Sequence, residues 1–228
     1  MSHRPGPGWR SVRAWDLPVR LFHWLLVVSV LVQWQTGQSR ALSTHMQAGV
    51  ALTALVVFRI LWGLAGSETA RFSGFLKGPG ALIAYLRGRR AHWLGHNPLG
   101  GWSVAALLLV LLVQCALGLI AQDVDGMESG PLAYLVSYDV SEAARIWHHR
   151  VFNLLAALIG LHLLAILWYL LSGNNLVSPM IDGRREVPPE VAEPRPGSPL
   201  ALAAALAVAG ALAAWLWAGG PLPEALTG

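Results

Sequence analysis

The chain has 228 residues, of which 55% are hydrophobic and 12% charged, with a formal net charge of +4 and a mean hydropathy of +0.51. Soluble domains carry about 25% charged residues, so this composition excludes an ordinary soluble domain and points to a membrane protein that crosses the bilayer several times. No basic stripe interleaved with aromatics lies on a soluble segment, which excludes a nucleic-acid partner.

Five apolar segments are long enough for a hydrocarbon layer of about 30 Å: Val19–Gly37, Met46–Leu64, Trp102–Ala121, Trp147–Leu171 and Leu200–Ala218. The first is flanked by Trp and Arg and has no small-residue cleavage site, so it reads as a retained signal anchor. Between the second and third spans lies a long loop, Ala65–Gly101, in which Leu82–Arg90 could form a short interfacial helix. The Asp123–Glu142 loop is acidic, with Asp123, Asp125, Glu128, Asp139 and Glu142. Val187–Ser198, VPPEVAEPRPGS, is a Pro-rich linker that cannot continue a helix. The expected architecture is all-α with no strands: a four-helix transmembrane core in residues 1–186, the linker 187–198, and an additional C-terminal helix and tail in 199–228. That fifth helix carries no titratable group and reads as packing or partner contact.

Orientation follows from the basic residues. With the N-terminus cytoplasmic, Arg4, Arg10, Arg13, Arg20, Arg59, Arg71, Lys77, Arg87, Arg89, Arg90, Arg184, Arg185 and Arg195 lie inside, and Arg40, Arg145 and Arg150 outside. Thirteen of the sixteen basic residues then obey the positive-inside rule. The expected location is the bacterial cytoplasmic (inner) membrane, and the acidic loop faces outward. The single cysteine, Cys115, lies within the third span, and there is no C-x-x-C-H for covalent haem attachment.

Four histidines carry the chemistry. His148 and His162 are fourteen residues apart in the fourth span, which returns the second imidazole to nearly the same helix face about 21 Å further along. His23 lies about one turn inside the cytoplasmic end of the first span, and His45 opens the second at the outer surface. Depth therefore pairs His23 with His162 and His45 with His148, each pair drawn from two helices, as in the cofactor sites of helical bundles. Zinc wants about four nitrogen or sulfur ligands, and no carboxylate or cysteine completes such a shell at either depth. Two opposed imidazoles suit the axial positions of a haem iron, whose porphyrin supplies four more nitrogens. Gly37, Gly49, Gly63, Gly118 and Gly160 would let a flat macrocycle approach the backbone, or serve ordinary small-residue helix packing. Arg20, Arg59, Arg71 and Arg145 lie near the surfaces, where propionates would emerge, or act as topology anchors.

These residues sit in longer strings: VRAWDLPVRLFHW, H-x3-G at the head of the second span, FRILWGLAGSETARFSGFLKGP, YLRG, GHNPLGGW, HHRVFNLLAALIGLH and NLVSPMIDGRR. Over about residues 12–186 the chain resembles the bacterial cytochrome b561 family, which includes the cytochrome b subunits of nickel–iron hydrogenases and formate dehydrogenases. The resemblance implies a four-helix core holding two b-type haems on His23, His45, His148 and His162. It also implies exchange with the membrane quinone pool. His149, beside His148, is an alternative ligand on the fourth span, although the spacing to His162 favours His148. His92 and His96 belong either to a solvated loop or to a quinone or proton path.

Bis-histidine iron has no open coordination position, which leaves one-electron transfer as its work. The leading expectation is a transmembrane di-haem cytochrome b that moves electrons between the quinone pool and a partner redox protein, such as a c-type cytochrome or an oxidoreductase subunit. The acidic outer loop could dock a basic partner by electrostatic steering. A second reading is a stand-alone quinone-linked oxidoreductase acting on a small redox molecule such as superoxide. A third is a non-redox transporter or assembly factor.

Overall fold

The computed structural model describes residues 8–88 and 94–220. Arg4, Arg89, Arg90 and His92 lie outside the described residues. In chain order the elements are β1 (Arg10–Arg13), α1 (Leu17–Gln38), α2 (Leu42–Ala65), α3 (Phe72–Phe75), α4 (Pro79–Leu86), α5 (Pro98–Ile120), α6 (Tyr138–Leu171), α7 (Ser178–Asp182), β2 (Arg184–Val187) and α8 (Pro199–Trp217). Helices α1, α2, α5, α6 and α8 are long and apolar enough to cross a membrane, and the protein is an all-α polytopic membrane protein.

Local chemistry sets where these helices begin. Asp16 accepts the Val19 amide at 2.8 Å, so WDLP starts α1 with a capping carboxylate and a proline in the first turn. Asn97 does the same for α5: its Oδ1 accepts the Gly100 amide at 2.8 Å, and Pro98 takes the first helical position. Apolar side chains at helical spacing then face outward. On α1, Leu17, Leu21, Leu25 and Val28 are each more than half exposed. In water that stripe would be a liability; in hydrocarbon it needs no partner.

The second and third spanning helices start four residues earlier than expected, at Leu42 and Pro98, and two other elements also differ. The fourth spanning helix starts at Tyr138, nine residues before Trp147. Residues Tyr138–Ile146 include Asp139, Glu142 and Arg145, so they fail an apolar criterion while remaining good helix. The interfacial helix is Pro79–Leu86 rather than Leu82–Arg90, because Pro79 is suited to a helix start and Gly88, at φ +81°, follows its end.

The expectation of no strands is corrected. β1 and β2 pair antiparallel, with Arg10 opposite Val187 and Arg13 opposite Arg184. Val12 is buried to 1% exposure, and the Trp15 amide extends the clasp by donating to the Gly183 carbonyl at 3.1 Å. Four-residue, arginine-rich strands carry no alternation long enough to recognise, and their partners are about 170 residues apart.

The chain forms two compact units. The first comprises Met1–His23, Arg59–Leu108 and Ala157–Ala203; the second comprises Trp24–Phe58, Leu109–Ala156 and Ala204–Gly228. Within the first unit the Pro-rich stretch is held down rather than loose. Arg195 exchanges hydrogen bonds with Glu68, its carbonyl accepting the Glu68 amide at 3.1 Å and its amide donating to Oε2 at 3.0 Å. The Val191 carbonyl accepts from Arg10 at 2.8 Å.

Candidate functional site

In the second unit, His45 stands in the first turn of α2, and His148 lies ten residues into α6. Both are half-buried. Their ring centroids are 6.1 Å apart and the ring planes are inclined at 83°. One first-row metal ion held by two imidazole nitrogens at about 2 Å each places the ring centroids about 6 Å apart. His149 is exposed, its centroid 6.4 Å from that of His148. Of the two neighbouring residues on α6, His148 is the one brought to His45.

The hydrogen bonds select which nitrogen each ring can offer. His45 Nδ1 lies 3.1 Å from the Gln33 carbonyl and 3.2 Å from Thr36 Oγ1. The Thr36 hydroxyl donates to the Val32 carbonyl at 2.7 Å, so both neighbours of Nδ1 act as acceptors and Nδ1 carries the proton. His148 Nδ1 donates to the Gln114 carbonyl at 3.0 Å. In each neutral ring the lone pair is left on Nε2, the atom a metal would take. Gln33 further fixes the start of α2 by donating to the His45 carbonyl at 3.1 Å.

Glycines make room beside these rings. A Cβ at Gly37 would stand 3.5 Å from His45 Cε1, and one at Gly118 would stand 3.0 Å from His148 Cε1. The other three expected glycines divide. Gly49 faces the Gln33 amide at 3.2 Å, Gly160 has nothing within 4 Å, and Gly63 is filled by the Phe72 ring at 2.2 Å from a would-be Cβ. Gly63 is thus a packing glycine.

In the first unit, His23 lies in the second turn of α1 and His162 in α6, both half-buried and within electrostatic reach of each other. His96, left open between two readings by the sequence, joins them. It sits just before α5, its ring 4.7 Å from Trp15 and 4.9 Å from Phe75 between centroids. Burial, then the charges of Arg59, His162 and His23, pushes its pKa down to about 3, so it stays neutral at physiological pH. Arg59 is buried to 2% exposure and packs against the Phe22 and Phe72 rings at 5.9 and 5.1 Å.

One further polar cluster has no signature in the sequence. The Tyr85 and Tyr169 hydroxyls are 2.8 Å apart, and Asn97 Nδ2 donates to both at 3.0 and 2.9 Å. Burial and then the Tyr169 hydroxyl push Tyr85 up to about 12. Asn97 therefore joins the YLRG and GHNPLGG strings to the end of α6, a role no single string reveals.

Among the described residues no group of three or more His, Cys, Asp or Glu side chains converges as a metal site. Each histidine pair can therefore supply two ligands, and a bound group would have to bring the rest. That is the donor set of an iron porphyrin.

Comparison with known proteins agrees with this chemistry. The chain is 22% identical over 221 residues to a probable Ni/Fe-hydrogenase B-type cytochrome subunit of Azotobacter chroococcum mcd 1, covering 77% of this chain and 88% of that relative. A protein of the same description from Bradyrhizobium diazoefficiens is 22% identical over 213 residues, covering 77% and 86%. No solved structure matches. The family described as prokaryotic cytochrome b561 matches residues 14–183, and the chain belongs to that family.

Proposed function

We propose that this protein is a transmembrane di-haem cytochrome b that transfers electrons between the quinone pool and a partner redox protein. His23 and His162 hold one haem b, and His45 and His148 hold the other. Membership of the cytochrome b561 family supports a membrane haem electron-transfer role and haem b as the cofactor. The observation that carries the reading is the His45–His148 pair: two imidazoles 6.1 Å apart, each with its Nδ1 proton committed to a backbone carbonyl.

A haem held by each histidine pair would supply one-electron exchange. The chain does the positioning. Gln33 and Gln114 carbonyls fix the tautomer and ring orientation of His45 and His148. Gly37 and Gly118 leave the space beside those rings free of side chains. The distribution of basic residues supports a cytoplasmic N-terminus, and membership of a prokaryotic family supports the bacterial inner membrane. The printed names of the relatives support an oxidoreductase subunit as the partner.

Pyridine haemochrome analysis of the purified protein should give two non-covalent haems b per chain. His23→Ala and His162→Ala should remove one spectral class, His45→Ala and His148→Ala the other, and His149→Ala neither. A stoichiometry near one, or loss of haem in His149→Ala with retention in His148→Ala, would refute the assignment.

A further inference from the structure

A buried cation in the first unit has no ion-pair partner among the described residues. Of the four arginines near the ends of the spans, Arg145 chelates Glu142 through two bonds at 2.8 and 2.7 Å, and Arg20 donates to the Ile181 carbonyl. Arg59 alone of the four is buried, at 2% exposure. Its Nη2 donates to the Ala70 carbonyl at 3.2 Å. Its Nη1 is shielded from solvent and has no hydrogen-bond partner among the described residues.

Among the described residues the surroundings hold this guanidinium without an ion pair. Phe22 and Phe72 pack against it, which orients the planar fork. Asp16 is within electrostatic reach of Arg59, but no ion pair joins the two: its oxygens accept from the Val19 amide at 2.8 Å and Trp62 Nε1 at 2.9 Å. His96, also close to Arg59, is kept neutral by burial and offers no charge. A buried cation is costly unless paired and hydrogen-bonded, and arginine's fork suits a carboxylate. His96 lies within electrostatic reach of Arg59, His23 and His162 alike, so the orphaned donor and the histidine pair share one locality.

We propose that Arg59 binds a propionate carboxylate of the haem held by His23 and His162, with Nη1 as donor, and that its charge raises the reduction potential of that haem. The inference rests on the proposed function and deepens it by assigning a positioning residue for one of the two haems. The sign follows from charge. Reduction adds one electron to the iron, and a fixed positive group nearby stabilises the reduced state relative to the oxidised one.

The test uses the full chain purified in detergent, with haem content and spectroelectrochemical potentials as readouts. Arg59→Gln should lower the potential of the His23/His162 haem and leave the other unchanged, and Arg59→Lys should recover most of the loss. Reconstitution with haem dimethyl ester, which has no free carboxylate, should weaken binding at this site several-fold in the wild type and much less in Arg59→Gln, whose pairing is already lost. An unchanged potential in Arg59→Gln with both haems bound overturns the proposal. So does an equal effect of esterification on binding in wild type and Arg59→Gln. Should Arg59→Gln retain no haem at this site, the wild-type chain decides. Weaker binding of ester than of free-acid haem at the His23/His162 site alone supports the pairing, and equal binding overturns it. His23→Ala and His162→Ala run alongside: if neither removes a haem, the haem assignment itself has failed, which is separate from a silent Arg59.

Discussion

Gly118→Ala challenges the His45–His148 pair with one methyl group. A Cβ at 118 would lie 3.0 Å from His148 Cε1 and 3.3 Å from Nδ1. Carbon contacts are comfortable from about 3.5 Å, so the ring must retreat by roughly half an ångström. It cannot do so freely, because Nδ1 is bonded to the Gln114 carbonyl at 3.0 Å. Weakening that bond costs about 1 kcal/mol, while alanine in place of glycine inside a helix stabilises by about 1 kcal/mol. The two terms nearly cancel in the stability of the polypeptide. They do not cancel at the site, where a functional constellation tolerates displacements of only about 0.5 Å. Gly118→Ala should therefore leave the thermal midpoint of the haem-free protein within a few degrees of wild type. It should also reduce occupancy of the His45/His148 haem several-fold or shift its low-spin electron paramagnetic resonance signal. Gly210→Ala, on α8, is the control: nothing lies within 4 Å of a Cβ there, so it should keep both haems and be neutral to slightly stabilising. The reasoning fails if Gly118→Ala binds both haems at wild-type occupancy with unaltered signals.

Two further perturbations probe the rest of the molecule. Gly183 has φ +81°, and a Cβ there would stand 2.8 Å from the Trp15 carbonyl; the left-handed strain costs about 1–2 kcal/mol, and loss of the Trp15–Gly183 hydrogen bond adds about 1 kcal/mol. Gly183→Ala should lower the thermal midpoint by several degrees and speed proteolysis near β1; equal stability would show that the clasp yields without strain. In the acidic loop, Asp123→Asn keeps an acceptor for the Asp125 amide, now 2.9 Å from Oδ1, so the triple variant with Asp125→Asn and Glu128→Gln removes charge while preserving the turn. If a cationic redox partner docks there, its reduction should slow at low ionic strength and lose salt dependence, whereas an unchanged rate and salt profile would place docking elsewhere.

The spanning helices were legible because the bilayer imposes a length: apolar runs of about twenty residues have few alternatives. What that signal measures is hydrocarbon thickness, not helix. Tyr138–Ile146 shows the difference, since its acidic and basic side chains interrupt the apolar run while its backbone continues α6. The β1–β2 clasp fails for another reason. Its register, Ser11 opposite Glu186 and Val12 opposite Arg185, joins segments from opposite ends of the core, and neither strand has a local signature. Arginines at 10, 13, 184 and 185 are like charges at the ends of spans, and charge says nothing about pairing.

The same division runs through the candidate site. Helical periodicity assigns each histidine a face and a height on its own helix, which is enough to pair His45 with His148 and to prefer His148 over His149. A loop has no such period. The position of His96 depends on the path that brings Gly95 against Trp15 and Thr69 and ends in the Asn97 cap of α5, so its sequence neighbours carry no hint that it lies near His23 and His162. Periodicity also gives direction without identity. Gly63 and Gly118 are equally bare in sequence, but one accommodates the Phe72 ring and the other the His148 ring. Arg59 shows the consequence most sharply: its place near a span end admits an anchor or a ligand, and only Phe22, Phe72 and the Ala70 carbonyl closing around it distinguish the two. An anchor would extend its fork to water or lipid headgroups. A fork enclosed by aromatic rings, with one donor still unbonded, is arranged to meet an anion inside the protein.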